Sequence, residues 1–336
     1  MNYIGVDLHK QTITVCVMNQ DREVVMTSRF PCSEAERITA WFRQRQPFRM
    51  VVEATASYEW FVQQVEPYAE RVVLAHPGKL RVIAESTRKS DRLDARVLAE
   101  FLARDMIPEA YRATPRQREH RRLIRQREWL GRRLRSMKVR MRRVLADYNA
   151  DRPDLFTRAG RSAAGVLKLS SADQLALNQM WSQYDLLRKQ MTEVMQALRE
   201  FARTASASEA EARRVVGTIP GVGPVTVEAF LAELADAHRF RSQKRAAAYV
   251  GLAPGQRESG GVRRGLGITR TGSGLLRRIL NQAAWRLVRV DPRWRRIFEG
   301  LAKRRGKKKA IVAISRRLLC VMVSLVQSGQ SYRPAA

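Results

Sequence analysis

Eight apolar residues, Leu177, Met180, Tyr184, Leu187, Met191, Val194, Leu198 and Phe201, recur at alternating intervals of three and four. A mean period of 3.5 lines them along one side of a long helix, and a stripe that long must be covered. Upstream, after Pro115, Leu123, Leu130, Leu134, Met137, Met141 and Val144 keep similar a-and-d spacing. A break near Pro153 and Gly160 separates the two runs. The spacing therefore predicts a long helical hairpin over 111–205. It packs on itself or on a second subunit, and a homo-oligomer, dimer or tetramer, is the expectation.

The first 110 residues follow another period. Tyr3-Ile4-Gly5-Val6 runs into Asp7, Thr12 to Met18 alternates β-branched and apolar residues, and Glu23 to Phe30 returns after the turn residues Asn19 to Arg22. Ser33-x-x-Glu36 predicts a capping box and a helix through Phe42. Met50 to Val52 reads as a buried strand ending at Glu53, Val72 to Leu74 as another, and Lys89 to Arg104 as a closing helix. Strands followed by alternating helices and strands predict a mixed α/β sheet over 1–110.

Outside the heptad stripe the first long helix is covered in arginine, and the whole chain has 63 Lys plus Arg against 32 acidic residues, a net charge of +31. A face of one sign, built largely from forks suited to bidentate phosphate contact, predicts nucleic-acid binding. Arg121, Arg122, Arg125, Arg132 and Arg133 are the candidates here, with Lys89 in the preceding unit. No uninterrupted run of about 18 apolar residues is present to span a bilayer, and the first residues lack the pattern of a signal peptide. A cytoplasmic protein with no membrane partner is expected. Three scattered cysteines and four scattered histidines suit neither a disulfide frame nor a zinc site.

Against this background the acidic residues stand out. Asp91 and Asp94 are three apart at the start of the closing helix, so they share a face. Asp7 and Glu53 stand at the carboxyl ends of predicted strands, where α/β sheets place their sites. Singly, each reads equally well as a helix cap or a solvated strand end. Together they could hold two hard cations about 4 Å apart, an arrangement used for in-line attack on phosphodiesters. Mg²⁺ is the expected ion, with Mn²⁺ as a substitute.

Residues 206–336 begin after the linker-like Ala205 to Ser208. In Ile219-Pro220-Gly221-Val222-Gly223 the glycines resemble a helix-hairpin-helix turn, which lets backbone N–H groups approach a phosphate at a helix N-terminus. Gly221 and Gly223 are therefore candidate nucleic-acid contacts. The basic, Gly-rich stretch from Pro254 to Gly274 reads as a long functional loop. It holds Arg263, Arg264 and Arg270, which suit a scissile phosphate. On composition alone its Ser259 is a loop serine, because no His or Lys base adjoins it.

Five motifs in fixed order change that. Y-I-G-V-D, V-V-E-A-T-A-S-Y-E, K-S-D-R-L-D-A-R-V-L-A-E-F, I-P-G-V-G and G-L-A-P-x4-S-G followed by L-R-R resemble the DEDD-type transposases of the IS one-ten insertion-sequence family. Piv-type DNA invertases are their relatives. The resemblance covers nearly the whole chain. It implies a fold of the class α/β plus all-α: an N-terminal ribonuclease-H-like (RuvC-like) catalytic domain at 1–110, a helical coiled-coil middle at 111–205, and a mostly helical C-terminal transposase domain at 206–336.

Carried over residue by residue, the family's acidic tetrad falls on Asp7, Glu53, Asp91 and Asp94, and its nucleophilic serine on Ser259. The resemblance implies a phosphoserine link to DNA, donor and target DNA as substrates, and a bridge RNA that pairs with both. Tetrad and serine lie far apart in sequence, so the site must be assembled between domains, in one subunit or across two. The alternative is a metal-dependent, structure-specific endonuclease of the junction-resolvase kind, in which the carboxylates activate water and Ser259 has no chemical role. A purely phosphate-binding protein is a third reading. It gives no reason to collect carboxylates on a basic surface.

Overall fold

The computed structural model describes residues 1–55, 58–83, 91–259 and 262–333, with the backbone alone at 81–83, 91–93, 256–259 and 262–264. It divides into two compact units, Met1–Arg112 and Ala113–Ala336.

In the first unit the chain runs β1 (Asn2–Leu8), β2 (Thr12–Met18), β3 (Val24–Pro31), α1 (Ala35–Arg43), β4 (Phe48–Glu53), α2 (Glu59–Val65), β5 (Arg71–Ala75), α3 (Pro77–Ile83) and α4 (Asp91–Ala103). The strands form one sheet in the order β3-β2-β1-β4-β5. β1, β2 and β3 are antiparallel neighbours, while β4 and β5 run parallel to β1. This mixed order is the ribonuclease-H-like sheet that the resemblance implies. The β2–β3 turn forms because the Asn19 side chain accepts a hydrogen bond from the Glu23 N–H at 2.9 Å.

Alternate residues of the strands face opposite layers. Ile4, Val6, Met50 and Val52 pack with Phe42, Phe48 and Phe61 beneath α1 and α2. Tyr3, Val51 and Val73 pack with Leu98 and Leu102 of α4. The predicted capping box at Ser33 and Glu36 does not form. Glu34 occupies the N-cap of α1 and makes no side-chain cap bond, so the helix begins one residue later than that motif suggests. At the end of the unit Arg112 bridges Glu59 at 2.8 Å and Glu66 at 2.6 Å, tying the chain to α2.

The second unit runs α5 (Pro115–Ala146), α6 (Arg158–Gly165), α7 (Ser171–Arg203), α8 (Ala207–Gly217), α9 (Pro224–Leu234), α10 (Gln243–Val250), β6 (Pro254–Ser259), β7 (Val262–Ile268), α11 (Gly274–Val290), α12 (Pro292–Arg305) and α13 (Lys307–Ser328). α5 and α7 are the two heptad helices, packed antiparallel. Met141 and Leu145 meet Leu177, Met180, Trp181 and Tyr184 at one end, and Ile124 meets Leu198 at the other. Midway, Leu187, Met191 and Val194 are only half-buried.

α5 starts at a complete capping box. Thr114 Oγ1 accepts from the Gln117 N–H at 3.2 Å, and the Gln117 side chain accepts from the Thr114 N–H at 3.0 Å. Thr114→Ala is expected to lower the stability of this unit by about 1 kcal/mol. A shift in urea midpoint at constant slope would report it.

The stretch from 254 to 274 is not a structureless loop. β6 and β7 pair as an antiparallel ribbon. Behind it the main core is helical, with Phe230, Leu276, Leu280, Leu287, Ile314, Leu318, Leu319 and Met322 fully buried. α13 is long and apolar enough, by length and composition alone, to cross a membrane once Arg316 and Arg317 are tolerated. Here its inner face is part of that core.

Candidate active site and nucleic-acid contacts

The register of β1 against β4 pairs Val6 with Val52, so Asp7 and Glu53 follow next on neighbouring parallel strands. Side chains alternate, so Asp7 shares its face with Tyr3 and Gly5, and Glu53 shares its face with Val51. Both belong to the face that α4 covers. α4 runs opposite to β1. Asp105, just past its end, acts electrostatically on Arg49, which pairs with Tyr3 at the amino end of the sheet. The first turn of α4, with Asp91 and Asp94, therefore lies toward the carboxyl ends of β1 and β4.

Gly5 makes this arrangement possible. A Cβ there would lie 2.0 Å from Ala95 O and 2.4 Å from Ala99 N, both backbone atoms of α4. The helix thus rests on β1 at backbone distance, with Ala95 and Ala99 turned inward. The Asp7 side chain is 13% exposed, and its Oδ2 lies 3.1 Å from Nε2 of His9, which is more than half exposed. His9 was legible only as one of four scattered histidines. Its signal is its position two residues past Asp7, beyond the strand end. Asp94 is exposed. The backbone of Asp91 opens α4, and its side chain lies outside the described residues.

An all-oxygen donor set at one end of a sheet fits a hard divalent cation. Among the described residues no three His, Cys, Asp or Glu side chains gather into a ready cage. Mg²⁺ is usually held by one or two carboxylates, waters and substrate phosphates, so an open set of this kind fits it.

Ser259 is the last residue of β6, and its Cα pairs with Val262 across the ribbon. Arg263 and Arg264 pair with Glu258 and Arg257 through the same ladder. The side chains of Ser259, Arg263 and Arg264 are not described, and Lys89 lies wholly outside the described residues. The base of the ribbon is fixed at backbone contact: a Cβ on Gly251, at φ +78°, would meet Thr271 O at 2.0 Å. Arg277 donates to Val250 O at 2.8 Å and Thr271 O at 2.6 Å. Burial, then the charges of Arg270 and Arg278, lower its pKa. Arg270 itself is exposed at the turn, at φ 58°.

The arginines of α5 divide. Arg121 donates to Ala232 O at 2.8 Å, and Arg125 makes a forked pair with Glu233 at 2.9 and 3.1 Å, both fastening α5 to the end of α9. Buried Glu128 accepts from Arg278 at 2.7 Å, with Arg132 and Arg135 at 3.9 and 3.7 Å. Arg133 lies over the exposed ring of Trp129, its Cζ 5.3 Å from the centroid. Arg122, Arg140 and Arg143 are exposed and make no ion pair among the described residues. Gly221, at φ +76°, and Gly223, the N-cap of α9, form the predicted turn between α8 and α9.

Residues 4–150 match the DEDD transposase family model, and residues 213–299 match the model for the transposase IS116/IS110/IS902 family. A probable family 20 transposase of Pseudomonas aeruginosa is 25% identical over 351 residues, covering 99% of both chains. The transposase for insertion sequence element IS1111A of Coxiella burnetii is 24% identical, over 99% of this chain and 92% of its own. The pilin gene-inverting protein of Moraxella bovis is also 24% identical, over 98% of this chain and 97% of its own. With both halves matched, in the order that the motifs require, the chain belongs to the IS110 family of DEDD-type transposases.

Proposed function

We propose that this protein is an insertion-sequence transposase, a recombinase that cuts and rejoins donor and target DNA through Ser259, with its sites chosen by pairing to a guide RNA. The observation that carries the reading is the placement of Asp7 and Glu53 on neighbouring parallel strands under the first turn of the helix that holds Asp91 and Asp94. These four carboxylates would hold Mg²⁺, which supplies charge stabilisation at the phosphate when bound. The net charge of +31 supports nucleic acid as the partner. A homo-oligomer built on the half-covered heptad stripe, working in the prokaryotic cytoplasm, belongs to the same proposal.

In the step itself Ser259 Oγ bonds to phosphorus as a bridging P–O bond breaks. One DNA end leaves as a free hydroxyl, which takes up a proton, and the serine proton passes to a carboxylate or to solvent. Attack by a hydroxyl of the other DNA partner on the phosphoserine reverses the step, reseals the strand and restores the serine.

A denaturing gel tests this. Protein, RNA from the element's flanks, labelled donor and target DNA and Mg²⁺ are quenched together. A protein–DNA adduct is expected in wild type, reduced by roughly 10³-fold or more in Ser259→Ala and Asp94→Ala. Cutting without an adduct, surviving Ser259→Ala and lost only in Asp94→Ala, would leave a resolvase-like nuclease instead. Recombination at the same sites without RNA would remove the guide from the proposal.

A further inference from the structure

The exposed side of α11 carries Gln282, Trp285, Arg286 and Arg289 at helical spacing. It borders the α8–α9 turn closely: a Cβ on Gly221 would lie 3.1 Å from Leu287 N and 3.2 Å from Arg286 C. Two shallow clefts meet there. One, of about 420 Å³, is lined by Gln282, Trp285, Arg286 and Arg289. The other, of about 280 Å³, adds Gly221, Val222, Gly223 and Val290 to the same two arginines. Neither guanidinium has an ion pair or a hydrogen bond among the described residues, unlike the arginines of α5 that fasten α9. The indole of Trp285 is 37% exposed, and its packing partner Phe298 meets it edge-on at 5.3 Å.

Packed on Phe298 along one edge only, the ring leaves its remaining surface in a cleft that it lines together with two unpaired cations. Its chemistry fits a chain of phosphates with accessible ring faces. We infer that the α11 face and the Gly221–Gly223 turn hold an unpaired nucleic-acid strand. Arg286 and Arg289 contact consecutive phosphates, backbone N–H groups of the glycine turn contact a third, and a base stacks on Trp285. A duplex offers this site phosphates but no free base face. This deepens the recombinase reading, since strand exchange and a guide RNA both present unpaired strands, and it rests on that reading.

The test is equilibrium binding of the full chain to a labelled DNA strand, an RNA strand of the same sequence, and the DNA duplex, across a salt series. Trp285→Ala should weaken binding to an unpaired strand roughly tenfold and leave duplex binding within about twofold. The Arg286→Gln/Arg289→Gln pair should lower the slope of log affinity against log salt by about 1.4, two phosphates at about 0.7 each. Trp285→Phe, which keeps a stacking ring in place, should bind within about threefold of wild type and controls for the contact with Phe298. Whether DNA or RNA suffers the larger loss identifies the strand. Unchanged affinity and slope in these variants, or an equal loss on duplex, overturns the inference. A wild type that binds none of the three probes would instead fail the recombinase reading itself.

Discussion

Gly5→Ala is expected to destabilise the first unit by at least about 3 kcal/mol, lowering its melting temperature by roughly 10–20 °C. The added methyl would meet Ala95 O at 2.0 Å and Ala99 N at 2.4 Å. Neither atom can rotate away, as the end of a flexible side chain could. α4 would have to withdraw from β1 by about 1 Å along its whole contact, breaking the packing of Ala95 and Ala99 on Cys16 and Met18. The effect on chemistry follows from the same movement. Asp91 and Asp94 ride on α4 while Asp7 and Glu53 stay with the sheet, and a displacement of that size can cost about 100-fold in rate. Adduct formation should therefore fall even below the melting transition, with every carboxylate intact. Gly78→Ala is the control, because its new methyl would meet only the His76 ring, at 3.5 Å and beyond. A Gly5→Ala protein that melts within about 2 °C of wild type would mean that the helix does not rest on the strand at backbone distance.

The parts of this fold that could be read from sequence are those with a short period. β1, β2 and β4 announce themselves by β-branched runs ending in turn chemistry or an acid, and the heptad stripes by intervals of three and four. The acidic residues were visible one by one. What sets Asp7 and Glu53 side by side under α4 was not, because it depends on the parallel register of β1 with β4 and on the approach that Gly5 allows. β6 and β7 were hidden by composition. Gly255, Gly265 and Gly267 dilute any alternation, and the ribbon is held by its ladder and by tight contacts at Gly251. The arginines of α5 were the least legible. Whether an arginine meets phosphate or carboxylate depends on partners such as Glu233, 108 residues away from Arg125. Charge counting treats the two kinds alike, and only the folded chain separates Arg121 and Arg125 from Arg122.

The same hidden pairing supports the second large prediction. Glu228 of α9 is 14% exposed and accepts a forked pair from Arg213 of α8 at 2.9 and 3.2 Å, while His120 Nε2 of α5 lies 2.6 Å from its Oε2. The His120 ring stacks on Phe201 of α7 at 4.7 Å, and Arg116 covers the same phenyl group while bridging Glu209 of α8 at 2.8 Å. Three helices thus meet at one carboxylate, and α7 joins them through the ring that stacks on His120. Glu228→Ala leaves Arg213 and His120 facing each other with no anion between them, and should cost roughly 3–5 kcal/mol. Burial pushes the Glu228 carboxyl up, but the hydrogen bonds from His120 and Arg213, with their charges, outweigh it and hold the group below its ordinary value of 4.5. A carboxylate depressed in the folded state adds stability that is fully present above its unfolded value and is lost as pH falls through its folded value. The urea midpoint of the wild type should therefore drop as pH falls from about 4.5. Glu209, held low mainly by its hydrogen bonds from Arg116, titrates in the same direction. Glu228→Gln should start lower at neutral pH and decline less steeply in acid, since one of the two linked carboxylates is gone. Parallel acid profiles for variant and wild type would show that Glu228 is not held as a paired anion, and that the four helices are fastened by their apolar contacts alone.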